Sequence, residues 1–151
     1  MIGCMRVTGL VRCPALGYMA GMAGAPTVLI ADRSQLAANI YRLVLAPLGV
    51  NILIRQRCVD ALAHLRTGAG VDLMIVNTNS LGPAQLDAVL GLFSDQRAAR
   101  VKKIFIAGDS KAEERLCSQL EKLAMATFVA RPFLPDDLLN VVRQRLARGD
   151  S

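Results

Sequence analysis

From Pro26 onward the chain alternates between short, almost unbroken apolar runs and longer stretches in which apolar residues recur every three or four positions. The runs are TVLIA, VNILIR, VDLMIV, KKIFIA and ATFVA, rich in Val, Ile and Phe. Short, continuously apolar runs predict buried parallel strands, and the periodic stretches between them predict helices that cover both faces of the sheet. The pattern is that of a (βα)5 unit, a doubly wound α/β domain with a five-stranded parallel sheet, over residues 26–148.

The helical stretches carry their own start and stop signals. Ser34 is placed to cap a first helix whose apolar residues are Leu36, Ile40, Leu43 and Val44, and Pro47 and Gly49 close it. A second runs from Val59 to Arg66 and ends at Gly68 and Gly70, while Pro83 opens a third with Leu86, Val89, Leu90 and Phe93 on one face. Ser110 and Glu113 form a capping box before a fourth helix striped by Leu116, Leu120 and Leu123. The fifth begins at Pro135, sets Asp136 and Asp137 at the positive end of its dipole and keeps its cations for the last turns.

Residues 1–25 do not join this pattern. They are rich in Gly, Ala and Met, and Arg12 and Pro14 interrupt any apolar stretch that a secretory signal would need. We read them as a disordered tail, or as the product of a start assigned too early, with Met19 and Met22 as alternative starts. No run reaches the roughly 18 apolar residues of a membrane span.

Composition narrows the function classes. Aromatics make up 4% with no Trp, so a base-stacking platform for single-stranded nucleic acid has little to be built from. The formal charge of +6 favours acidic partners at long range. It does not by itself indicate nucleic acid, because the cations are scattered apart from Arg97 to Lys103 and Arg143 to Arg148, which read as solvated surface. Cys4, Cys13, Cys58 and Cys117 contain no C-x-x-C pair, and His64 is the single His, alone in the second helix. Neither a zinc site nor a disulfide framework follows, and reduced, mostly buried thiols of a cytoplasmic protein do.

In a doubly wound sheet, ligands bind beyond the carboxyl ends of the strands. Those ends offer Asp32, Arg33 and Ser34, then Asn77, Thr78 and Asn79, then Ala107, Gly108 and Asp109, then Arg131 and Pro132. Read alone, the asparagines are turn formers, Asp32 with Arg33 an exposed pair and Arg131 a solvated cation. No phosphate-binding glycine loop, dinucleotide fingerprint or Ser-His-Asp set is present.

Taken in order and with their separations, VLIADRS, DLMIVNTNS, IFIAGDS and FVARPF resemble the four signature segments of the response-regulator receiver domain. The resemblance spans residues 26–148 and implies the flavodoxin-like receiver topology. It implies that Asn77 stands where receivers carry the aspartate that takes a phosphoryl group. Asp32 and Arg33 stand where a pair of acids holds Mg²⁺, Ala107 where a Thr or Ser follows the phosphoryl group, Arg131 where a Lys precedes the Pro, and Phe128 where an aromatic reports activation.

An amide is a very poor nucleophile beside a carboxylate, and one acid beside a guanidinium should bind Mg²⁺ weakly or not at all. We therefore expect Asp32, Arg33, Asn77, Asn79, Ala107 and Arg131 to form a degenerate phosphoacceptor pocket without catalysis, with Arg33 paired to Asp32 in place of the metal. The chain reads as a stand-alone atypical receiver of two-component signalling, a pseudo-receiver that is not an enzyme. No output domain occurs within these residues, so it would act by contact with a histidine kinase, another signalling protein or a second copy of itself. Lys111, Arg115, Lys122 and Arg143 are its expected interaction face, suited to an acidic partner. Two alternatives keep the same fold: a regulator phosphorylated on Asp109 or Asp72, and an anion- or nucleotide-binding protein that clamps with Arg33 and Arg131.

Overall fold

A computed structural model describes residues 24–67, 70–81, 89–91, 96–108, 110–121 and 126–147. Five strands alternate with helices: β1 (Thr27–Ala31), α1 (Gln35–Leu45), β2 (Asn51–Arg55), α2 (Cys58–Arg66), β3 (Leu73–Asn77), α3 (Gln96–Ala99), β4 (Lys102–Ala107), α4 (Lys111–Leu120), β5 (Ala126–Ala130) and α5 (Pro135–Ala147). The strands form one parallel sheet in the order β2-β1-β3-β4-β5. Winding reverses between β1 and β3, which makes the carboxyl ends of those two strands the natural crevice of the fold.

Side chains alternate between two cores, as the period of a strand requires. Leu29, Met74, Val76 and Phe105 meet α2 and α4 on one face. Val28, Ile30, Ile75, Ile104 and Ile106 meet α1 and α5 on the other. Central β3 is buried along its whole length, which is why its sequence shows no polar alternation.

The caps form largely as the sequence predicts. Ser34 accepts the Ala37 N–H at 3.1 Å, and Pro47 sits in a short 3₁₀ turn ended by Gly49 in the left-handed region at φ 64°. Asp72 accepts the Thr27 N–H at 2.8 Å and so ties the entry of β3 to the entry of β1, at the far end of the strand from Asn77. Residues 89–91 are helical. Residues 1–23, Gly68, Pro83, Leu86, Phe93, Asp109, Lys122 and Leu123 lie outside the described residues.

Two expectations need correction. The stripe Leu36, Ile40 and Leu43 of α1 faces solvent, with Leu36 71% and Leu43 77% exposed, while Ala38, Tyr41 and Leu45 are buried. The helix carries apolar residues on two faces, and spacing alone does not say which one docks; docking the Ala38–Tyr41–Leu45 face brings a phenol to the strand ends. The cations around α3 and β4 are not all solvated either. Lys103 is fully buried in β4, with Nζ donating to the carbonyls of Ala98 at 2.7 Å and Val101 at 2.6 Å just past α3, and Lys102 Nζ donates to the Arg145 carbonyl at 2.7 Å. Burial pushes the Lys103 ammonium down to about 8.

Candidate functional site

Asp32 leaves the end of β1 at the switch point and is buried at 1% exposure. Its Oδ2 accepts from Tyr41 Oη at 2.8 Å and Asn77 Nδ2 at 2.9 Å, and its Oδ1 accepts from the Ser34 N–H at 2.9 Å. All three donors are neutral. Arg33 is exposed, and these hydrogen bonds to Asp32 come from the cap and body of α1 and from β3. The phenol of Tyr41 is driven far above its ordinary pKa, first by burial and then by its hydrogen bond to the Asp32 carboxylate and the charge it carries.

Asn77 closes β3 with both ends of its amide used. Nδ2 donates to Asp32, and Oδ1 accepts the Asn79 N–H at 3.2 Å, capping the 3₁₀ turn Thr78–Ser80. An amide can donate at one end and accept at the other, whereas an ionised carboxylate only accepts. A carboxylate in this pose would set two anions against each other with no proton between them. Asn79 enters the pocket through its backbone, and its side chain is exposed.

The next residue serves a second carboxylate. Thr78 Oγ1 lies 2.5 Å from Glu113 Oε2 and 3.0 Å from the Ile106 carbonyl, and the shorter, charge-assisted contact takes its single proton. The same Glu113 Oε2 accepts from the Gly108 N–H at 3.0 Å and pairs with Arg131 at 2.5 Å, while Oε1 accepts from Ser110 Oγ at 3.0 Å. Burial alone would raise the Glu113 carboxyl; the bonds from Thr78, Gly108 and Ser110 and the charge of Arg131 outweigh it and leave the group below its usual range.

Arg131 follows β5 through a cis peptide to Pro132, and its N–H donates to the Ala107 carbonyl at 2.7 Å. Ala107 therefore lines this end with backbone and a methyl group, with no hydroxyl. Gly108 lies so close beneath the guanidinium that a Cβ there would come within 2.0 Å of an Arg131 nitrogen and 2.6 Å of Glu113 Oε1. Arg131 is paired with Glu113, and Arg33 is exposed.

Chains of known structure share this arrangement of strands and helices. A response-regulator receiver protein from Pseudomonas putida superposes with a TM-score of 0.68 at 24% identity, over 82% of this chain and 99% of the other. A response regulator from Thermotoga maritima gives 0.65 at 20%, over 82% and 98%. The receiver domain of an HD domain-containing protein from Pseudomonas fluorescens gives 0.66 at 20%, over 86% and 93%. The fold is that of the response-regulator receiver domain. No protein-family profile matches the sequence, and no curated protein does.

Within this receiver fold Asp32, Asn77 and the Asn79 backbone form one cluster, and Ala107 and Arg131 belong to a neighbouring one. Phe128 stacks on Phe105 with ring centroids 5.7 Å apart, inside the core face that carries α4. Lys111, Arg115 and Arg143 are all exposed, and Arg143 also donates to Asn140 Oδ1 at 3.0 Å. The helices α4 and α5 that carry them cover opposite faces of the sheet, on either side of edge strand β5.

Tyr41, Thr78 and Glu113 were missed as site residues. Tyr41 left one signal, a polar tip among the apolar residues of α1, and Glu113 was absorbed into its capping box.

Proposed function

We propose that this chain is an atypical receiver module of two-component signal transduction, cytoplasmic, without catalysis, acting through protein contact and not phosphorylated at Asn77. One observation carries the proposal: Asn77 donates its amide to Asp32 at 2.9 Å in the place where a phosphoacceptor would present an anionic oxygen. Phosphoryl transfer to this position needs an oxygen lone pair free for in-line attack. The Asn77 oxygen is neutral and already accepts the Asn79 N–H.

The donor set does not suit Mg²⁺. Asp32 accepts hydrogen bonds on both oxygens, and Asn77 turns its nitrogen towards Asp32. A hard cation prefers several free oxygens in octahedral array. The proposed domain therefore holds its strand ends together with hydrogen bonds and needs no metal. Its partner is an acidic protein surface facing Lys111, Arg115 and Arg143, with association that weakens as salt rises.

Intact-mass measurement after incubation with acetyl phosphate and Mg²⁺ tests the proposal. The unmodified mass is the expected result. A phosphoryl adduct mapped to Asn77, Asp109 or Asp72 would overturn it.

A further inference from the structure

Glu113 does more than cap α4. In a capping box the glutamate reaches back to the backbone N–H of its own cap residue. Here it meets the Ser110 hydroxyl with one oxygen and turns the other towards the strand ends, where Thr78 Oγ1, the Gly108 N–H and Arg131 converge on it. These donors come from the exits of β3, β4 and β5 and from the start of α4, as far apart in sequence as residues 78 and 131. Three neutral donors and one guanidinium gathered on the two oxygens of one carboxylate are the recognition chemistry of a small oxyanion. The absence of a Cβ at Gly108 lets backbone and guanidinium close on that carboxylate together.

We propose that Thr78, Gly108, Ser110 and Arg131 form an oxyanion site that the chain fills with its own Glu113 carboxylate, clamping the start of α4 to the strand ends. A second observation leaves the site a donor to spare: Arg131 Nε is buried and has no hydrogen-bond partner among the described residues. A carboxylate offers two oxygens and a phosphate four, so a tetrahedral anion reaches the donor that Glu113 leaves unused. The tethered carboxylate acts at a high effective concentration, on the order of millimolar or above, so free phosphate enters only when Glu113 is removed or withdrawn. The site thus couples anion binding to the position of α4. It does not depend on whether Asn77 is phosphorylated.

The test is a phosphate titration of full-length Glu113→Ala at constant ionic strength, followed by the ¹⁵N–¹H shift of Gly108 and by the thermal midpoint. Removal of the carboxylate is expected to lower the midpoint, and phosphate to restore it saturably with the same apparent affinity that moves the Gly108 signal. Matched chloride should do neither. The wild-type Gly108 signal should respond at least about tenfold more weakly, and Glu113→Ala/Arg131→Ala should lose the response. An unmoved Gly108 signal in Glu113→Ala, or an equal response in the double variant, overturns the proposal. If Glu113→Ala does not stay folded, its refolding yield with and without phosphate replaces the titration, and equal yields overturn it. Failure here leaves the unphosphorylated-receiver proposal standing, and a phosphoryl adduct on Asn77 leaves this one standing.

Discussion

Two buried carboxylates, Asp32 and Glu113, stand at neighbouring strand ends and are served by the consecutive residues Asn77 and Thr78. Asp32 accepts hydrogen bonds from neutral dipoles: a phenol, an amide and a backbone N–H. Glu113 has neutral donors and a cation as well. The first arrangement holds an anion by surrounding it, and the second by pairing it. Removing a neutral donor from the first leaves the others in place, whereas removing the carboxylate from the second strands a guanidinium and several donors at once.

The largest effect should therefore come from Glu113→Ala, a loss of about 2–3 kcal/mol in urea unfolding, below the full cost of a broken buried pair because Arg131 is partly exposed. Asn77→Asp should cost about 2 kcal/mol in metal-free buffer, because it sets a like charge against Asp32. Millimolar Mg²⁺ should return part of that loss in the variant and add nothing to the wild type, as calorimetric titration or urea midpoints with and without metal will show. Tyr41→Phe should be milder, about 1 kcal/mol, since Asp32 keeps two of its donors.

The pH dependence separates the two halves by sign. Glu113 titrates lower in the folded chain, so its contribution is complete above the ordinary glutamate range and is lost as pH falls through the folded value. Tyr41 titrates higher, so its contribution is complete below about pH 10 and is lost only as pH rises beyond that. Glu113→Gln should flatten the acid limb of a stability profile, and Tyr41→Phe the alkaline limb. A variant that alters the opposite limb would break the comparison.

How much of this the sequence shows depends on how local each feature is. Strands were legible because continuous apolar runs such as TVLIA and KKIFIA have one stable place, inside a covered parallel sheet. Caps at Ser34 and Ser110 were legible because they bond within three residues. The pairing of Asp32 with Asn77 spans 45 residues, and that of Arg131 with Glu113 spans 18. Only the topology brings them together, and the signature segments point to the first without the donor that completes it. The docked face of α1 was hidden because both of its faces are apolar, and the stripe Leu36, Ile40, Leu43 and Val44 passes Tyr41 by. Glu113 was hidden by a correct local explanation, the cap, that accounts for only part of its bonds.

Lys103 changes what the molecule carries as well as how it packs. Its ammonium titrates near pH 8 inside β4 and near 10.5 once released, so between those values the folded chain holds one proton fewer at this position than the unfolded chain does. Stability at this residue should climb through that window as the buried charge is given up, and unfolding there should take up a proton from solution.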